Sequence, residues 1–244
     1  MAESGGSNVQ DQKSDRLLIA IDGTAGAGKT TIGQMLSNKL NLPYLDTGAM
    51  YRAVTLLALQ KGISLAPPEE TRLTELARTL DFISRDATPE EAADQRQYTV
   101  LVDEVDVSEG LRSPEVEQWV SVVAALPQVR AELVKRQREI SRAALGGIIM
   151  MGRDIGSVVL PQADLKIYLD ASPEVRAIRR SQQSTDKTQE EARQNLVKRD
   201  QVDSQRAVAP LLVVEGALYI RTDHLTREQV MAQVEAALAP LMVK

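Results

Sequence analysis

The sequence has no cysteine and a single histidine, His224, among 244 residues. Disulfides, cysteine nucleophiles, thiolate centres and multi-histidine metal sites are thereby excluded, and zinc and iron–sulfur chemistry with them. Aromatic residues are scarce, with one Trp, one Phe and five Tyr, which leaves few rings on which the bases of a single strand could stack. Basic residues are outnumbered, 29 against 34 acidic ones, and a formal net charge of −5 supplies no global field that would draw the chain to nucleic acid or anionic lipid. No apolar run approaches the ~18 residues of a membrane span, and the first residues show neither a secretory signal core nor an arginine-rich transit pattern. The expectation is a cytoplasmic chain whose partners include no nucleic acid polymer and no membrane. At roughly 100–200 residues per domain, its length allows one or two domains.

Met1–Asp15 is rich in Ser, Gly, Gln and Asp and reads as a flexible tail. Leu17–Ile21 is a continuous apolar run closed by Asp22-Gly23, and Ile32, Met35, Leu36 and Leu40 then recur at helical spacing. A strand over Leu42–Leu45 and a helix over Thr47–Lys61 repeat the alternation, which predicts an α/β fold with a parallel sheet core flanked by helices. Between Ala66 and Ser113 a helix near Glu69–Leu80 precedes strands at Asp81–Ser84 and Tyr98–Val107, with an acidic turn at Asp86–Asp94 between them, as in a small antiparallel insert. Ser113-Pro114-Glu115 opens helical segments that break near Pro127 and run to about Ala144. Strands follow at Gly146–Met151 and Leu165–Leu169, and Ser172-Pro173-Glu174 starts another helix. Gln182–Asp203 is polar and charged, either a solvated helical hairpin or a mobile flap. A last strand near Ala217–Arg221 leads to Thr226-Arg227-Glu228-Gln229, a capping-box pattern.

Gly23-Thr24-Ala25-Gly26-Ala27-Gly28-Lys29-Thr30 fits G-x-x-x-x-G-K-[ST] and lies between an apolar strand and an amphipathic helix, where the phosphate-binding form of this motif must lie. Its glycines let successive N–H groups turn toward phosphate oxygens, the helix N-terminus adds partial positive charge, and Lys29 reaches the β- and γ-phosphates. Neither the Asn-Lys-x-Asp guanine reader nor a Leu-Ser-Gly-Gly-Gln transporter signature is present, which leaves a small-molecule kinase. Beyond the loop, Arg52 lies one and a half turns into its helix and can fork onto a phosphate, although a surface arginine is the ordinary alternative. Gly152-Arg153-Asp154 ends an apolar strand, at the edge where ligands collect in open parallel sheets. Arg199, Asp203 and Arg206 are spaced i, i+4, i+7, as on one helix face.

Four segments together resemble the bacterial-type cytidylate (CMP) kinases of the nucleoside monophosphate kinase superfamily. They are Asp22–Lys29, Leu45-Asp46-Thr47-Gly48-Ala49-Met50-Tyr51-Arg52, Gly152-Arg153-Asp154-Ile155-Gly156, and Arg199-Asp200 through Arg206-Ala207-Val208-Ala209-Pro210-Leu211. The resemblance implies a P-loop kinase fold in which residues 16–46 and 114–244 form the core, 47–113 the acceptor segment with its insert, and about 176–203 a mobile lid. It implies transfer of the ATP γ-phosphoryl to CMP and dCMP by a monomer with Mg²⁺. ATP would lie on residues 23–31 and under Arg176, Arg179 and Arg180. CMP would meet Thr47, Arg52, Ser121, Arg130, Arg153, Asp154, Arg199, Asp203 and Arg206, with Asp154 on the cytosine amino group and Lys29, Arg153 and Arg199 carrying catalysis. Thr30 stands where many relatives have Gly, so Thr30 and Thr31 are rival Mg²⁺ ligands, and Thr47 replaces a frequent Ser. An Asp154 without a role in base reading would serve to neutralise Arg153. The rival activities are phosphorylation of UMP, AMP or a sugar acid, and a non-enzymatic ATP-driven switch.

Overall fold

The apolar run after Arg16 becomes β1 (Leu17–Gly23), the central strand of a five-stranded sheet, with Ile19, Ala20 and Ile21 wholly buried. A computed structural model of the chain describes residues 16–93, 96, 98–182, 188–206 and 208–242; the expected tail, Met1–Asp15, lies outside them. With β2 (Tyr44–Asp46), β6 (Gly147–Met151), β7 (Leu165–Asp170) and β8 (Leu218–Arg221), the strand order is β2-β6-β1-β7-β8 and every pairing is parallel. The chain winds to one side of β1 and then to the other. A crevice therefore opens at the carboxyl end of β1, where ligands bind in sheets of this kind.

Because successive side chains of a strand point to opposite faces, one run of apolar residues serves two cores. Ile19, Ile21, Ile149, Met151, Ile167 and Leu169 pack with α1 (Lys29–Leu40) and α9 (Arg227–Met242). Ala20, Ile148 and Met150 pack with α2 (Thr47–Gln60), α5 (Pro114–Ala125) and α6 (Pro127–Ala143). The helix starts obey local chemistry: Ser113 Oγ accepts from Val116 N at 3.3 Å, and Thr226 and Gln229 exchange capping bonds.

Three expectations need correction. The second strand begins at Tyr44 rather than Leu42, because Asn41 takes a left-handed C-cap and Leu42 N still bonds Ser37 O in the preceding helix. The single strand expected over Tyr98–Val107 is a hairpin, β4 (Tyr98–Val102) and β5 (Val105–Asp106), turning through Asp103 and Glu104 at φ 50° and 63°. Two consecutive positive φ values suit such a turn, but no Gly announces it. The acidic stretch Asp86–Asp94 holds a short helix, α4 (Pro89–Ala93), opened by the capping pair Thr88 and Glu91. With α3 (Glu70–Thr79) and β3 (Phe82–Asp86), these elements make the antiparallel insert, ordered β3-β4-β5. Within Gln182–Asp203 the described residues are helical, with α7 (Pro173–Ser181) packed against α8 (Gln189–Ser204), and residues 183–187 lie outside the described set.

Candidate active site

The glycine loop curls between β1 and α1. Gly28 takes φ 99°, a left-handed turn open to glycine, and no side chain caps the helix it begins. Lys29 Nζ donates back to Gly23 O at 2.9 Å and Thr24 O at 2.7 Å. Burial, with the like charges of Arg153 and Arg199, pushes its amine well below the usual lysine value, against the pull of Asp46 and Asp22. An anion among these three cations relieves that repulsion, which is what a phosphate-binding crevice requires.

The three arginines expected in the lid divide. Arg176 is buried, donates to Ala171 O and Ala25 O at 2.8 and 3.1 Å, and pairs with Asp200, which also faces Ala25 N at 3.4 Å. Arg179 grips Thr222 through its Oγ1 and carbonyl at 2.9 and 2.7 Å, and Thr222 Oγ1 in turn reaches Ala27 O at 3.4 Å. Arg180 turns to Glu117 on α5 at 2.8 Å. Only Arg176 among the three touches the loop directly.

On the opposite side, Asp46 caps α2 through Gly48 N and receives the Thr30 hydroxyl at 3.1 Å and the Tyr98 hydroxyl at 3.4 Å. Thr47 Oγ1 donates to Met151 O at 2.9 Å and Arg52 to Leu111 O at 2.9 Å. At the end of β6, Arg153 Nε reaches Asp203 Oδ2 at 2.8 Å, and Arg206 joins the same carboxylate. Burial alone would raise the Asp203 carboxyl; Arg153, Arg199 and Arg206 outweigh it and hold it below its usual value. Burial, then Arg52 and Arg153, push Arg199 down to about 9, and its Nε is buried without a hydrogen-bond partner among the described residues. Asp154 pairs with Arg130, both almost wholly buried, and the Arg130 guanidinium lies 5.4 Å over the ring of Tyr51. Ser121 is half-buried on α5, and Thr31 is half-buried on α1. The crevice thus carries a cationic half at the loop and a half with a buried carboxylate beyond it.

The family model described as cytidylate kinase matches residues 19–239. The chain belongs to the cytidylate kinase family. It is 45% identical over 223 residues to a bifunctional pantoate ligase/cytidylate kinase of Synechococcus sp., covering 90% of this chain but 40% of that protein. It is 45% identical over 224 residues to a cytidylate kinase of Caldanaerobacter subterraneus, covering 90% of this chain and 93% of the relative. An uncharacterized protein from Eubacterium ventriosum shares the fold, with a TM-score of 0.51 at 10% identity over 92% of this chain and 99% of that one.

Two further corrections concern the site of this cytidylate kinase family member. Arg206 is not on the helix of Arg199 and Asp203: α8 stops at Ser204 and Gln205 is its C-cap, yet Arg206 folds back onto Asp203. Arg153 and Asp154 are not partners either: past the end of β6 each finds its counter-charge on another element, Arg153 at Asp203 and Asp154 at Arg130. Several polar groups of the crevice escaped sequence reasoning. Tyr98 comes from the insert, and Asp170 at the end of β7 accepts from Thr24 Oγ1 at 3.0 Å and Tyr219 OH at 2.9 Å. A cavity of about 620 Å³ is lined by Ser172, Val175, Arg221, Asp223, His224 and Leu225, next to the Thr222 that contacts the loop. Nothing local in the sequence marks these residues, because the pairings span dozens to more than a hundred positions.

Proposed function

We infer that this chain transfers the γ-phosphoryl group of ATP to CMP and dCMP, giving ADP and CDP or dCDP. The observation that carries the reading is the convergence of Lys29, Arg153 and Arg199 between the glycine loop and the buried Arg130–Asp154 pair. Phosphoryl transfer passes through a loose, charge-spread transition state, so the protein's work is in-line alignment and positive charge on the equatorial oxygens. Lys29 and the loop N–H groups hold the donor's β- and γ-phosphates, and Arg176 braces the loop from the lid. Thr24, Ala25, Gly26, Ala27 and Gly28 form the cradle, and the donor's base takes the cavity lined by Ser172, Val175 and Arg221, beside the Thr222 that Arg179 grips. Arg52, Arg153 and Arg199 receive the acceptor's phosphate. Asp203 and Arg206 take its ribose, and Asp154, Arg130 and Ser121 its base. Thr47, bonded to the end of β6, holds the floor.

Thr30 and Asp46 offer adjacent hard oxygens at the start of α1, a set that fits Mg²⁺, a cation commonly held by one or two protein oxygens together with phosphates and water. When bound, the ion would offset charge on the donor phosphate oxygens; Thr31 is the alternative hydroxyl. The lid, about residues 176–203 and carried by α7 and α8, excludes water from the transferred group by closing over the core of 16–46 and 114–244, and the 47–113 segment closes from the acceptor side. The reading carries with it a monomer working in the cytoplasm. Among the described residues no helix is long and apolar enough to cross a membrane. A coupled assay of ADP release with CMP, dCMP, UMP and AMP tests it: CMP and dCMP turnover should stand far above the others. Slow ATP hydrolysis insensitive to every acceptor would overturn it.

A further inference from the structure

Asp22 is a buried carboxylate that no step above uses. On the pleated β1 it points to the same side as Ala20, toward the core of α2, α5 and α6. Its two oxygens accept from Ile155 N at 2.8 Å and Gly156 N at 2.7 Å. These are the first two N–H groups of a single π-helical turn, Ile155–Val159, whose N-cap residue is Asp154. A residue of that type in that position ordinarily turns its own carboxylate onto the N–H of the second or third residue of the turn it opens, here Gly156 or Ser157. Asp154 makes no such bond; its carboxylate faces Arg130 instead. Two residues earlier, Gly152 N donates to Ile21 O at 3.0 Å. Arg153 and Asp154 are therefore bracketed between two attachments to the consecutive residues Ile21 and Asp22, and the phosphate loop begins at the next residue, Gly23.

We propose that Asp22 is a positioning residue for acceptor recognition: it caps the turn in place of Asp154, which leaves the Asp154 carboxylate directed at Arg130 and the acceptor's base, at a fixed offset from the phosphate loop. The proposal rests on the functional reading above. Retaining the carboxylate here is costly, since burial and the neighbouring Asp154 raise it to about 6 while the two N–H bonds and Lys29 pull it back. An arrangement maintained against that cost suits a geometric task for which a neutral side chain does not serve. An amide can accept from only one of the two N–H groups and turns its own N–H toward the other, so the turn would recruit Asp154 as its cap.

The test measures kcat and KM for CMP, UMP and ATP, together with melting temperature, in the wild type, Asp22→Asn and Asp22→Glu. In Asp22→Asn the KM for CMP should rise about tenfold or more and the CMP:UMP ratio of kcat/KM should fall at least fivefold, with the KM for ATP within twofold. Asp22→Glu keeps the charge near Lys29 but not the reach, so its CMP:UMP ratio should fall as well; this variant carries the comparison should the Asn form not fold. A wild type inactive on CMP would overturn the functional reading and this inference with it. With an active wild type, an unchanged CMP:UMP ratio, or equal losses for all three substrates alongside a lower melting temperature, would overturn the inference alone. A rise confined to the KM for ATP, restored by Asp22→Glu, would assign Asp22 to the charge balance of Lys29 and equally overturn it.

Discussion

Replacing Asp154 separates base reading from charge burial, because the structure gives it a partner whose fate can be computed. A carboxylate can only accept hydrogen bonds; cytosine presents an amino donor where uracil presents a carbonyl, so an Asp154 that reads the base would favour the one and repel the other. By analogy with base-edge recognition such a contact is worth about 1–3 kcal/mol, roughly a 5- to 150-fold preference. The same side chain pairs with Arg130, which is 3% exposed and, among the described residues, also donates to the Ala124 carbonyl at 2.9 Å, lies over the face of Tyr51 and feels the charge of Asp203. Removing one member of a buried ion pair strands the other, at about 3–5 kcal/mol. For a chain of this length that is roughly 6–20 °C in Tm at about 2–4 °C per kcal/mol. Asp154→Ala should therefore lose both properties: a melting temperature reduced by roughly 10 °C and a CMP:UMP ratio of kcat/KM reduced by about tenfold or more. Asp154→Asn keeps the shape and one acceptor, so it should melt higher than Asp154→Ala, yet its amide can donate to the uracil carbonyl and its CMP:UMP ratio should fall further. Both ratios are read in one coupled assay, below each variant's melting temperature. A lower Tm with an unchanged ratio in both variants would refute the reasoning, leaving Asp154 as the counter-ion of Arg130 and the base read elsewhere.

Lys29→Ala should reduce turnover by orders of magnitude while the protein stays folded, because burial and Arg153 already disfavour the Lys29 charge and its removal relieves repulsion rather than opening a core; wild-type turnover from a folded variant by the same assay would refute the loop assignment. The pH dependence of stability should carry the signature of Asp22. Its folded-state value of about 6 lies above the ordinary 3.8, so the folded chain binds the extra proton between those values, and stability present below pH ~4 is lost as pH rises through about 6. The displacement corresponds to about 3 kcal/mol. Denaturant titrations of the wild type and Asp22→Asn across pH 4–8 should show their stability difference shifting against the wild type by about that amount, and parallel curves would refute it.

The phosphate loop, the starts of α5, α7 and α9, and the parallel core were legible because each depends on chemistry within a few residues. Gly23 to Thr30 carries its own backbone geometry, Ser113-Pro114 and Ser172-Pro173 carry their caps, and Leu17–Ile21 is apolar enough to be buried on both faces. The hairpin at Asp103-Glu104 was not legible, because its left-handed residues lack the glycine that usually marks them. Nor was the stop of α8 before Arg206, which has neither glycine nor proline at its C-cap.

What the amino-acid order determined by itself, then, was the inventory: a P-loop on a parallel sheet, an insert, a charged helix pair, and a set of arginines and aspartates. The tertiary structure alone decided which charge faces which. Arg153 goes to Asp203, Asp154 to Arg130, Arg176 to Asp200 and Asp22 to the N–H groups of residues 155 and 156. Ion pairs and hydrogen bonds fall off within a few ångströms, and the partners lie 24 to 134 positions apart in sequence. Their pairing follows from the order in which the strands lie side by side, a property that no local stretch of sequence expresses.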